Sequence, residues 1–114
     1  MQIEHRQVDG VTVALISGRL DSAVADDVTA QLDRLVNAGA TRLVVNLKDV
    51  SYISSAGLRS IFVAAKLTRS LNGDMRLCEP NPLVSKILDA SGFANLIKID
   101  TEERQSLEAL GANQ

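Results

Sequence analysis

The segment Asn46-Leu-Lys-Asp-Val-Ser-Tyr-Ile-Ser-Ser-Ala-Gly-Leu-Arg59 holds the residue types best placed for chemistry. An apolar strand runs into Ser54-Ser55, then Gly57, then a helical pattern. At a helix start the first backbone N–H groups have no intrahelical acceptor, and the helix dipole adds positive potential. A serine there has two roles open to it. It caps the helix with its own hydroxyl, or it carries a phosphate that those free donors stabilise. Local chemistry alone favours the cap, because serine caps are common. A serine nucleophile is disfavoured: the turn is not Gly-x-Ser-x-Gly, and His5 is the only histidine to act as its base.

Other chemically capable residues are scattered. Asp21 follows the break at Gly18 and reads as a turn or cap residue. His5 lies on an N-terminal strand and reads as structural or solvated. Cys78 sits in an apolar strand, where a lone thiol behaves as a small buried hydrophobe. Asp26, Asp27 and Asp33 share the polar side of a helix, a solvated face rather than a metal site. On the helix after Gly57, Arg59, Val63, Lys66 and Ser70 fall on one face. Val63 there is an apolar residue framed by positive charge, a modest mark of a partner surface.

The bulk composition narrows the function further. The 114 residues suit a single domain, 46% hydrophobic and 23% charged. Twelve basic against fourteen acidic residues give a net charge of −2, which argues against direct nucleic-acid binding. One cysteine and one histidine exclude an internal disulfide and a Cys/His-rich metal cage. Aromatic residues are 3% of the chain, too few for base stacking. No run approaches the roughly 20 apolar residues of a membrane span, and the first residues lack a secretory signal. The expectation is a cytoplasmic, non-enzymatic domain without cofactor or metal.

These residues need elements to position them. Gln2 to Val8 and Val11 to Ser17 read as strands joined by a type I′ turn at Asp9-Gly10. Gly18-Arg19-Leu20-Asp21-Ser22 breaks the pattern before a helix with Val24, Val28, Leu32 and Leu35 on one face. Gly39 ends it. Leu43 to Leu47 reads as a strand covered on both sides, followed by a loop through Tyr52 and a helix from about Gly57 to Leu71. Met75 to Cys78 is the next strand. Asn81 caps a helix with Pro82 at its first position, with Leu83, Val84, Ile87 and Leu88 as its apolar stripe. A strand around Ile97 to Ile99 precedes a last helix starting near Asp100, where Asp100 and Glu103 have capping-box spacing. The order is β-β-α-β-α-β-α-β-α, a mixed α/β sheet with about four helices over residues 1–110. Residues 111–114 are expected to be a frayed tail.

This organisation resembles the STAS domain, and within it the bacterial anti-sigma factor antagonists. The resemblance covers almost the whole chain and rests on Gly18-x-Leu20-Asp21, on Val44-Val45-Asn46-Leu47, and on Ser54-Ser55-Ala56-Gly57-Leu58 opening a helix. Typical members carry Asp-Ser-(Ser or Thr)-Gly-Leu at the last site, and a cognate anti-sigma factor that is also a serine kinase phosphorylates the first serine. Registering on Gly57 places that acceptor at Ser55, with Ser54 as second choice. The resemblance implies partner contacts at Asp21, Ser54, Ser55, Ala56, Gly57, Arg59, Val63 and Lys66, with a serine phosphatase as a further partner. Three positions depart from the pattern: Ser54 and Ala56 beside the acceptor, and Asn46 where an Asp is common. A STAS subunit of a lipid-transport ABC complex, binding its ATPase, is the alternative that the same resemblance leaves.

Overall fold

The computed structural model describes residues 3–112. Five strands form one mixed sheet in the order β1-β2-β3-β4-β5. They are β1 (Glu4–Val8), β2 (Val11–Leu20), β3 (Arg42–Ile53), β4 (Asp74–Cys78) and β5 (Lys98–Asp100). β1 pairs antiparallel with β2, and all later pairings are parallel. The helices are α1 (Ala25–Asn37), α2 (Ser55–Ser70), α3 (Pro82–Ala90) and α4 (Glu103–Ala109), and a 3₁₀ turn spans Phe93–Asn95. This is the expected α/β order. The β1–β2 turn falls at Asp9-Gly10, where both residues take the positive φ, 47° and 81°, that a two-residue hairpin demands. Gln2, expected to open the first strand, lies outside the described residues.

Side-chain alternation sends β2, β3 and β4 into two cores. Ala14, Ile16, Leu43, Val45 and Leu47 pack against Val28 and Leu32 of α1, Ile61 and Ala65 of α2, and Val84 and Leu88 of α3. Val11, Val13, Val44 and Cys78 face the other way, under Leu107, Leu110 and Ala112 at α4. β3 is thus covered on both faces, which is why it reads as a continuous apolar run.

Several boundaries differ from the sequence expectations. The β2 strand does not stop at Ser17; Gly18, at φ +86°, lets it continue to Leu20 through an irregular register. The expected loop through Tyr52 is the second half of β3. Its inward residues there are Leu47, Val50 and Ile53, spaced by three, because β3 bulges twice against β2. That spacing hides the period of two on which strand recognition depends. α2 begins at Ser55 rather than at Gly57. α4 begins later than expected, capped by Glu102 with Gln105 closing a capping box. Asp100 instead ends β5 and pairs with Arg76. Asp33 is half-buried rather than solvated, and its Oδ1 has no hydrogen-bond partner among the described residues. Of the tail, Ala112 is buried and its N–H donates to the Leu107 carbonyl at 2.9 Å. Asn113 and Gln114 lie outside the described residues.

Candidate functional site

The β2 and β3 ends converge on the start of α2. The Ser54 N–H donates to the Leu20 carbonyl at 2.9 Å, so the Leu20–Asp21 segment lies beside the serine pair. Gly57 is buried there, and a β-carbon on it would stand 2.3 Å from that same carbonyl oxygen. Only glycine lets the first turn of α2 seat this deeply.

The two serines have different surroundings. Ser54 is the N-cap: its Oγ accepts from the Gly57 N–H at 3.1 Å and lies 3.4 Å from the Leu20 carbonyl, to which it donates. Ser55, the first helical residue, is exposed, and its hydroxyl has no partner among the described residues. The first turn of α2 contains no acidic residue to compete with an added anion.

Asp21 is half-buried. It accepts from the Ala23 N–H through Oδ1 at 3.0 Å, and its carbonyl accepts from Val24 and Ala25, so it organises the entry to α1. Ala56 and Val63 are half-buried, while Arg59 and Lys66 are exposed. The Lys66 ammonium lies 5.7 Å from the centre of the Phe62 ring. The fold therefore brings Asp21, Ser54, Ser55, Ala56 and Gly57 to one corner, with Arg59, Val63 and Lys66 running away from it along α2.

Asn46 is buried on the opposite face. Its Nδ2 donates to Glu103 of α4 at 3.0 Å, and its Oδ1 accepts from the Lys48 N–H at 2.9 Å. Arg6 also binds Glu103. Burial works against ionisation of Glu103, but the hydrogen bonds from Arg6 and Asn46 outweigh it and hold the carboxyl below its usual range. An aspartate at position 46 would set two carboxylates against each other, so the amide here suits the glutamate contributed by α4.

Cys78 is chemically quiet. Burial, with Glu79, Glu103 and Asp100 nearby, pushes its thiol up to about 12, so almost none is thiolate at neutral pH. Among the described residues no cluster of three or more His, Cys, Asp or Glu side chains has metal-binding geometry. No helix among them is long and apolar enough to cross a membrane.

The STAS domain family model matches residues 2–106. The chain belongs to this family. An anti-sigma F factor antagonist of Paenibacillus polymyxa is 32% identical over 96% of this chain and 95% of its own length. A candidate anti-sigma factor antagonist of Bordetella bronchiseptica, BtrV, is 35% identical over 87% of this chain and 85% of its own. In fold, the domain resembles a candidate anti-sigma factor antagonist of Thermotoga maritima with a TM-score of 0.88 at 24% identity, covering 95% of this chain and 93% of that one.

Sequence reasoning missed one feature at the same corner of the STAS domain. The Arg19 guanidinium lies 4.5 Å from the centre of the Tyr52 ring and 3.6 Å from the Asp21 carboxylate. The two residues are cross-strand neighbours in the β2–β3 pairing. Finding them from sequence requires knowing that both strands run on to Leu20 and Ile53.

Proposed function

We propose that this STAS domain is an anti-sigma factor antagonist, a binding protein rather than a catalyst. It captures an anti-sigma factor in the cytoplasm through the corner formed by Asp21 and the first turns of α2. Capture frees the sigma factor, so the domain regulates transcription indirectly. The anti-sigma factor, acting as a serine kinase, ends the interaction by phosphorylating Ser55, and a serine phosphatase restores it.

One observation carries this reading: of two adjacent serines, Ser54 is committed to capping α2 while the Ser55 hydroxyl is exposed and has no partner among the described residues. The departure from the family pattern at Ser54 keeps the cap, since serine and aspartate serve equally well there. In the transfer step the Ser55 oxygen attacks the γ-phosphorus of ATP. Its proton passes to a base of the kinase, and ADP leaves with Mg²⁺ charge support supplied by the kinase. The product adds about −1.5 to −2 charges at the centre of the contact face, where desolvating them and facing acidic partner groups both oppose binding. The names of the Paenibacillus and Bordetella relatives support the anti-sigma factor antagonist role.

Incubation with the cognate kinase-type anti-sigma factor and Mg–ATP, followed by peptide mapping, tests it. The expected result is a single phosphate on Ser55 and at least tenfold weaker binding of the modified form. Ser55→Ala abolishes phosphorylation and retains binding. Phosphate found only elsewhere, or equal affinity of the two forms, refutes the switch.

A further inference from the structure

We infer that the partner-binding face extends from α2 onto α1, and that the groove between these helices receives one aliphatic side chain of the anti-sigma factor, flanked by a carboxylate and a cation. This rests on the function proposed above.

The groove has a volume of about 360 Å³ and opens between the N-terminal halves of the two helices. Asp26 and Thr29 form the α1 wall; Ala56, Arg59 and Val63 form the α2 wall. Ser60 is buried and donates across the helix pair to the Ala25 carbonyl at 2.8 Å, which fixes the spacing of the walls. The Thr29 hydroxyl donates to the same carbonyl at 3.0 Å. Both hydroxyls are satisfied inward, so the surface left for a visitor between the two charged residues is mainly apolar. The trough is preformed, and a side chain entering it requires little reorganisation.

The rim supplies the selectivity. Asp26 and Arg59 are exposed on opposite walls, and among the described residues neither is engaged in an ion pair. An apolar trough between two unpaired opposite charges is complementary to an aliphatic side chain with a cation on one side and a carboxylate on the other. The apolar part contributes contact area, and the charges fix orientation and reject mismatched partners.

The same geometry joins the groove to the switch. Ala56 follows Ser55, and Arg59 lies four residues along the helix from Ser55, on the same side of α2. A phosphate on Ser55 comes within reach of the Arg59 guanidinium, a strong charge-assisted pairing. It thereby takes the cation that the partner's carboxylate needs. One modification both occupies the end of the groove and neutralises its rim.

The test is calorimetric titration of the cognate kinase-type anti-sigma factor with single variants of the full chain. Thr29→Phe fills the groove from the α1 wall, and Asp26→Lys reverses one rim charge. Ala90→Phe, at an exposed position on α3 away from the groove, is the control. Thr29→Phe and Asp26→Lys are expected to lower affinity at least tenfold, and Ala90→Phe to leave it unchanged, with circular dichroism and Tm as in the parent. Should Thr29→Phe fail to fold, Asp26→Lys decides, since its side chain is exposed. Parental affinity of Asp26→Lys and of folded Thr29→Phe overturns the groove. If phosphorylation still abolishes binding in that case, the proposed function stands without it. An unaltered protein that does not bind the anti-sigma factor overturns both.

Discussion

Ser54 and Ser55 are the same amino acid one position apart, and the register of α2 gives them separate work. Ser54 supplies an acceptor to an orphan helix N–H, while Ser55 leaves its hydroxyl in solvent. Their alanine variants are therefore expected to separate stability from modification. Ser54→Ala removes the cap at a cost of about 1 kcal/mol, which at this chain length lowers Tm by roughly 4 °C. Ser55→Ala deletes no contact, so its Tm is expected to match the parent within the roughly 0.5 kcal/mol of an ordinary surface change. Thermal unfolding followed by circular dichroism checks both. A larger loss in Ser55→Ala than in Ser54→Ala reverses the assignment of cap and free hydroxyl. The choice between these serines was legible in part. Local chemistry offered either role to both residues, and alignment on Gly57 was what separated them.

At the scale of elements, the site depends on how closely α2 approaches the end of β2. Gly57→Ala tests that approach. Alanine gains up to about 1 kcal/mol of helix propensity over glycine, but its β-carbon would lie 2.3 Å from the Leu20 carbonyl oxygen and 2.9 Å from Leu20 Cγ. The carbonyl cannot withdraw without straining the 2.9 Å bond from the Ser54 N–H. Overpacking of this kind costs about 1–3 kcal/mol, so the steric term wins and the variant is expected to melt below the parent. It also displaces the loop at Asp21, weakening partner binding. A Tm equal to or above the parent's shows that the contact is soft. Which elements exist was legible because most of the amphipathic runs are bounded by Gly, Pro or Asn, as at Asp9-Gly10, Asn72-Gly73 and Pro80-Asn81-Pro82. Where β2 and β3 end was not, because bulges replace alternation by the spacing Leu47, Val50, Ile53. The α1 wall of the groove was equally hidden. Asp26 and Thr29 are about 30 residues from Arg59, and only the packing of α1 on α2 makes them neighbours.

The whole molecule is held by two unlike cores, and the smaller one relies on charge. α1, α2 and α3 cover one sheet face with an extended apolar layer, whereas α4 covers the other with Leu107, Leu110 and Ala112. Around that second face, Asp100 receives Arg76 through two hydrogen bonds of 2.9 and 3.1 Å and accepts from Ser106 at 2.5 Å. Glu103 is bonded to Asn46 and Arg6, and its N–H donates to the Glu79 carboxylate at 2.8 Å. The hydrogen bonds from Arg76 hold the Asp100 carboxyl below its usual range, and Glu103 is likewise lowered. A carboxyl with a depressed native pKa stabilises the fold fully above its unfolded pKa, about 4, and loses that contribution as pH falls through the native value. Stability is therefore expected to vary little on this account from pH 7 to 5 and to decline at more acidic pH. Urea midpoints measured at pH 7, 5, 4 and 3 report it. Arg76→Met removes the main cause of the Asp100 depression, so that variant starts less stable at pH 7 and converges on the parent as the pH falls. Midpoint curves that stay parallel down to pH 3 would show that the Arg76–Asp100 pair does not link protonation to the docking of α4.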